Sequence, residues 1–352
     1  MTRIAETCAR IVEPDATAAR AARALLDAKT KPPGSLGRLE ELACALAAIH
    51  RTPQPPLPCK AIVVMGADHG VAEEGVSAYP QAVTGQMLLN FARGGAAINV
   101  LARLAGARVV VVDMGVSEPP PCAPQIESRR IGDGTRNFTR GPAMTRAQAE
   151  LAVATGIEIA TELAANGVTL IGVGEMGIAN TTAASALVSL FADATPERVT
   201  GRGTGIDDEA LRRKTAVVRE ALRRNAPSAA DPIGALASVG GFEIAGLTGV
   251  MLGAAALRIP VVVDGFICGA AALAAVRLAP RAAGYLVMAH RSAEPGHAIA
   301  LAALGRTPLL DLELRLGEGT GSALAMLLVE AALRILHEMA TFTSAEVSDR
   351  DA

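Results

Sequence analysis

The sequence predicts an α/β fold, a doubly wound parallel sheet with helices gathered at both ends of the 352-residue chain. Three observations carry this. Short β-branched runs alternate with longer helical stretches, the pattern of strands joined by crossover helices. The runs are apolar throughout rather than alternating, as strands buried on both faces are. Several of them stop at a polar residue or a glycine, as parallel strands do where they enter an active-site edge.

In chain order, strands are expected at 61–65 (Ala-Ile-Val-Val-Met), 108–113 (Arg-Val-Val-Val-Val-Asp), 168–172, 259–264 and 284–288. Helices are expected between them at 82–104, 146–165, 179–191, 207–224, 242–257, 266–277 and 296–304. Residues 1–50 hold helical segments at 16–29 and 38–50 and no strand, and a proline-rich linker follows at 51–58. From about 306 the chain reads as a short extended piece and then one long helix over 322–340, with 344–352 frayed. The two ends are therefore expected to meet as a small helical domain, 1–55 plus 306–352, beside a large α/β domain, 56–305. A closed eight-fold barrel would need more strands than these.

Composition narrows the function. Hydrophobic residues make up 51% of the chain and aromatic residues 2%, so the core must be built from Ala, Val, Leu and Ile. The formal net charge is −2 and no basic block stands out, which argues against a phosphate-tracking nucleic-acid surface. Cys8, Cys44, Cys59, Cys122 and Cys268 lack CxxC or metal spacing and read as reduced thiols of a cytoplasmic protein. The first residues lack the apolar core of a signal peptide. The apolar stretches 244–257 and 267–276 are bounded by Glu243, Arg258, Asp264 and Arg277 and fall short of a membrane span.

Two glycine-framed glutamates are the most informative positions. Glu175 lies in Gly172-Val-Gly-Glu-Met-Gly-Ile-Ala-Asn-Thr-Thr182, and Glu318 in Gly317-Glu-Gly-Thr-Gly321, ahead of the last helix. A glycine-rich turn that feeds a helix offers free backbone N–H groups and the positive end of the helix dipole, a ready anion site. Neither glutamate is needed for that, so general-base or substrate-orienting chemistry is expected of them. Taken alone, Glu318 would be a carboxylate stabilised near a helix start by about 0.3–1 kcal/mol, which asks for no flanking glycines.

Six polar, glycine-punctuated segments fall at strand ends or helix starts: 31–38, 66–77, 174–182, 201–207, 264–268 and 290–297. In an open α/β sheet such segments are expected to meet in one crevice. Asp68, His69, His290, Glu294 and His297 offer metal-ligand chemistry, but no spacing such as HExxH fixes two on one face. No GxSxG elbow is present, and Gly201-Arg-Gly-Thr-Gly205 lacks dinucleotide spacing.

The combination Lys31-Pro-Pro-Gly-Ser-Leu-Gly-Arg-Leu-Glu40, Asp68-His-Gly-Val71, Glu74-Gly-Val-Ser77 with Val83-Thr84, Gly174–Thr182, Gly201–Asp207, Asp264-Gly-Phe266, His290-Arg-Ser292 with Glu294, and Leu316–Gly321 resembles the nicotinate-nucleotide–dimethylbenzimidazole phosphoribosyltransferase family. The resemblance runs in order from about 30 to 335. It implies a Rossmann-like sheet with a small helical domain, a cytoplasmic homodimer, and a pentosyltransferase reaction without cofactor or metal. The small-molecule substrates would be nicotinate mononucleotide and 5,6-dimethylbenzimidazole, and the reaction a step in making the cobalamin lower-ligand nucleotide. The residues alone leave open another acceptor base on the same scaffold, such as a purine, a phenol or a different benzimidazole, and a non-catalytic nucleotide sensor.

Residue by residue, the resemblance makes Glu318 the base and Glu175 the second catalytic carboxylate. It places Gly177, Asn180, Thr181, Gly203 and Lys214 around the phosphoribosyl group, and Asp264 and Ser292 at nucleotide-contacting positions. Ser77, Tyr79, Gln86, Met87 and Leu316 are the expected lining of a flat, apolar benzimidazole pocket.

Overall fold

A computed structural model describes residues 2–118 and 123–348, and Cys122 lies outside them. Six strands form one all-parallel sheet: β1 (Lys60–Ala67), β2 (Ala107–Gly115), β3 (Ile126–Ser128), β4 (Leu170–Met176), β5 (Val261–Val263) and β6 (Leu286–Met288). Their order is β3-β2-β1-β4-β5-β6, so the chain winds outward to one edge, returns, and winds to the other. The reversal lies between β1 and β4, which pair in the register Val63↔Val173. Crevices for ligands open at such a switch point, beyond the carboxyl ends of the strands.

Strand β1 shows why the runs read as unbroken apolar stretches. Ala61, Val63, Met65 and Ala67 enter the core on one face, Ile62 and Val64 the core on the other, and all eight residues are buried.

The helices are α1 (Arg3–Arg10), α2 (Ala16–Asp27), α3 (Arg38–His50), α4 (Val83–Arg93), α5 (Ala97–Ala105), α6 (Arg146–Ala165), α7 (Asn180–Phe191) and α8 (Pro196–Val199). They continue with α9 (Asp208–Asn225), α10 (Pro232–Val239), α11 (Phe242–Ala256), α12 (Phe266–Leu278), α13 (Pro295–Leu304) and α14 (Thr320–Glu338). Helices α6 and α11 make the tightest helix pair. Cβ atoms on Gly156 or Gly249 would run into backbone of the facing helix, so the glycine content is spent on close approach.

The ends of the chain meet. Thr30 N–H donates to Ala340 O (3.0 Å), and Lys29 Nζ to Met339 O (2.6 Å). Helices α2, α3 and α14 share a core with α4, α5 and one face of the sheet. Helix α14 is long and apolar enough to cross a membrane by length and composition, a stretch the sequence reading passed over. Over half of it is buried here, where it packs on α3, α5 and β4.

Four expected elements differ. The single helix at 82–104 is two, because Gly94 adopts φ +79° and closes α4 before α5 restarts at Ala97. The strand expected at 168–172 runs on to Met176, because Gly172 and Gly174 do not turn the chain. They leave room for α14 and the segment before it: a Cβ on Gly172 would meet Met326 Cε at 2.8 Å, and one on Gly174 would meet Glu318 backbone. The outer strands β5 and β6 are shorter than expected, since Pro260 precedes one and a 3-10 turn through Tyr285 precedes the other.

Candidate active site

A cavity of about 680 Å³ opens at the carboxyl ends of β4, β5 and β6, closed by the loops at 76–79, 203–204 and 313–318. Five of the six glycine-punctuated segments contribute lining. The sixth, 31–38, is tied up elsewhere: buried Glu40 accepts from Leu36 N–H (3.1 Å), lies 2.8 Å from Lys31 Nζ, and pairs with Arg23 (2.7 Å).

Glu175 and Glu318 both line the cavity and are 5% and 6% exposed. They touch through backbone, Glu318 N–H donating to Glu175 O (3.2 Å). Glu175 projects from the end of a regular strand, and Asn180 Nδ2 donates to its Oε2. Burial, reinforced by the nearby carboxylates of Asp264, Glu243 and Glu318, pushes its pKa up to about 8 despite that bond.

Glu318 sits in a left-handed turn, φ +63° between Gly317 at +85° and Gly319 at +89°. A non-glycine residue there costs about 1–3 kcal/mol, and such strain concentrates at functional sites. The turn aims its Oε2 at the start of α5, where Ile98 N–H donates to it (3.3 Å). The break in 82–104 is thus what creates a helix N-terminus at this carboxylate. Burial raises the Glu318 pKa, and the Ile98 N–H opposes the rise.

Asp264, expected at a nucleotide-contacting position, is not part of the lining. Its carboxylate accepts from Gly319 N–H (3.1 Å), Gly321 N–H (2.7 Å) and Ser322 N–H (3.2 Å), capping α14 and anchoring the Glu318 turn. Burial pushes its pKa up to about 7, against the pull of those three donors.

At the other end, Gly177, Asn180, Thr181 and Gly203 line the cavity around the start of α7. Lys214 reaches them from α9, fully buried, its Nζ donating to Thr181 Oγ1 (2.8 Å) and Gly201 O (3.0 Å). Burial lowers its pKa to about 8, with the charge of Glu294 holding it up. A positive group, a helix N-terminus and a left-handed glycine make an anion site.

Ser77, Tyr79, Met87 and Leu316 line the cavity together with Val83 and Met176, a largely apolar wall. Ser77 Oγ lies 3.3 Å from Thr204 Oγ1, tying this wall to the 201–205 loop. Gln86 is exposed and outside the lining: it and Met87 are neighbours on α4 and point about 100° apart.

Ser292 lines the cavity, with His290 and Glu294 from its segment, which belong to the resembling motif and were otherwise weighed as metal ligands. His290 stays neutral, its pKa lowered to about 4 by burial. Glu294 Oε1 accepts from Gly203 N–H (2.8 Å). His297, outside the lining, accepts from Ser292 N–H on Nδ1 (2.9 Å), and burial lowers its pKa to about 3. His69 pairs instead with Glu243 in the interior (2.6 Å). Among the described residues no three His, Cys, Asp or Glu side chains converge as a metal site. Phe266, Thr204 and Arg315 also line the cavity; the first two lie within candidate segments without having been singled out, and Arg315 adjoins Leu316.

The phosphoribosyltransferase family model matches residues 11–347. A nicotinate-nucleotide–dimethylbenzimidazole phosphoribosyltransferase of Chloroflexus aurantiacus is 56% identical over 336 residues, covering 96% of each chain. Its namesake in Geobacter sulfurreducens is 52% identical over 351 residues and 100% of both. The crystal structure of the enzyme of that name from Thermus thermophilus superposes with a TM-score of 0.90 at 48% identity, over 95% of this chain and 99% of that one. With sheet, cavity and both glycine-framed glutamates in place, the chain belongs to the nicotinate-nucleotide–dimethylbenzimidazole phosphoribosyltransferase family.

Proposed function

We propose that the chain moves the 5-phosphoribosyl group of nicotinate mononucleotide to 5,6-dimethylbenzimidazole, giving nicotinate and α-ribazole 5′-phosphate in cobalamin nucleotide-loop assembly. The observation that carries the reading is one cavity holding an anion-binding end, an apolar wall and a buried, strained carboxylate, Glu318.

Nicotinate is joined to ribose as a cationic pyridinium, so the electron pair of the breaking bond to C1′ neutralises the ring nitrogen and no general acid is required. The unprotonated nitrogen of the benzimidazole attacks C1′ from the opposite face, which inverts the β-linkage to α. Its other nitrogen loses a proton to Glu318, whose raised pKa suits a base near neutrality. Glu175, with a pKa of about 8, is protonated at neutral pH and holds a ribose hydroxyl. Lys214, Thr181 and Gly203 take the 5′-phosphate, and Tyr79, Met87 and Leu316 flank the acceptor ring. The protein works as a cytoplasmic homodimer with the helices of both termini as its smaller domain, and size-exclusion chromatography with light scattering should give twice the chain mass.

The test is mass spectrometry of products from purified protein, nicotinate mononucleotide and dimethylbenzimidazole, beside Glu318→Gln. Nicotinate and α-ribazole phosphate should appear with the wild type alone. Bound mononucleotide without product would mean another acceptor or a sensor.

A further inference from the structure

Glu294 is a carboxylate at the anion end of the cavity that the transfer chemistry does not use. It is 6% exposed and lines the cavity. Its Oε1 accepts from Gly203 N–H at 2.8 Å, while Oε2 is buried without a hydrogen-bond partner. Gly203 has φ +52°, in the left-handed region. Lys214 is close by: a Cβ on Gly203 would lie 3.1 Å from its Nζ, and two of the three Nζ donors go to Thr181 Oγ1 and Gly201 O. A desolvated carboxylate with one oxygen unsatisfied is a poor resting arrangement for a purely structural brace.

We infer that Glu294 is a built-in competitor for the 5′-phosphate, occupying on Gly203 N–H the place that a phosphate oxygen takes when substrate binds. The inference rests on the proposed reading that this end of the cavity holds the phosphate. Two anions cannot share one N–H and one ammonium without strong repulsion in a buried site. The phosphate therefore ejects Glu294, and Lys214 turns its free donor to the incoming oxygens. A ligand with no charged group there cannot displace the carboxylate. The competition therefore loosens the hold on the phosphorylated ligand and leaves the binding of an unphosphorylated nucleoside untouched.

The test compares wild type, Glu294→Gln and Lys214→Ala by calorimetric binding of nicotinate mononucleotide and of nicotinate riboside, which lacks the phosphate. Gln keeps an acceptor for Gly203 N–H and removes the charge, so the loop is retained. The mononucleotide should bind Glu294→Gln about ten-fold tighter than wild type, with riboside binding unchanged. Equal or weaker mononucleotide binding would overturn the inference and make Glu294 a loop brace. Lys214→Ala should weaken the mononucleotide alone. If it affects both ligands equally or neither, the phosphate reading itself fails and takes the inference with it. A crystal structure of the wild type with bound mononucleotide tests the same point without substitution: Gly203 N–H should lie on a phosphate oxygen, and an N–H still on Glu294 beside bound phosphate refutes the exchange.

Discussion

Glu175 and Glu318 are sequence-distant carboxylates, equally buried and linked by a backbone hydrogen bond, yet the chain presents them in opposite ways. Glu175 stands on a relaxed strand end, its side chain held by Asn180 and crowded by other carboxylates. Glu318 stands on a strained turn of three left-handed residues, its side chain held by one backbone N–H of α5. Burial, reinforced by the neighbouring carboxylates, keeps a proton on the first. The second has no carboxylate among the causes of its raised pKa and is the better placed to gain and lose one. Two similar motifs in sequence thus serve different chemistry because their surroundings differ.

The largest effect should come from removing the Glu318 carboxylate. Glu318→Gln should lower kcat by about 10²–10⁴-fold, the usual worth of a positioned base, while calorimetry finds nicotinate mononucleotide bound nearly as in the wild type. Loss of binding along with turnover would make Glu318 structural and erase its contrast with Glu175.

Next comes the turn. Gly317→Ala places an Ala at φ +85° and drives its Cβ into Glu175 Oε1, so it should cost more than the strain alone, about 1–3 kcal/mol by thermal unfolding, and depress turnover. Gly34→Ala, at φ +76° with nothing within 4 Å, is the control and should cost stability without loss of turnover. Equal effects on turnover would mean that the contact between the two motifs does not matter.

The sheet was legible because buried parallel strands leave unbroken apolar runs, as 61–65 and 108–113 do. Strand β3 was missed because three residues containing a glutamate and a serine carry no such run. Both glutamates were legible from their glycines, although the reason for the glycines at 172 and 174 was not: they admit α14, which follows them by some 150 positions in sequence. The roles of Asp264 and Glu294 depend on partners 57 and 91 positions away, Gly321 and Gly203, and no local pattern announces either pairing. Gly94-Gly95 carried a signal for the break between α4 and α5 that the expected helix at 82–104 ran through, and only the fold shows that the break serves Glu318.

The smallest effect at neutral pH should come from Glu175→Gln, and it sharpens the contrast most. With a pKa of about 8, Glu175 is already protonated at pH 7, and a Gln amide resembles a neutral carboxyl in size and polarity. Turnover at pH 7 should fall by less than about ten-fold, far short of the loss at Glu318. The difference should emerge in stability as the pH rises. A native pKa raised above the unfolded value means that the protonated side chain contributes fully below the ordinary glutamate range, near 4.5, and that this contribution is lost as the pH climbs through about 8. In that window the wild type should lose unfolding free energy relative to Glu175→Gln, with a slope approaching 1.4 kcal/mol per pH unit. Asp264 titrates in the same range in both proteins, so the difference between the two denaturation curves leaves Glu175 together with its coupling to Asp264. A flat difference from pH 5 to 8 would show that Glu175 is ionised in the native protein, and the two glutamates would then have to share their chemistry rather than divide it.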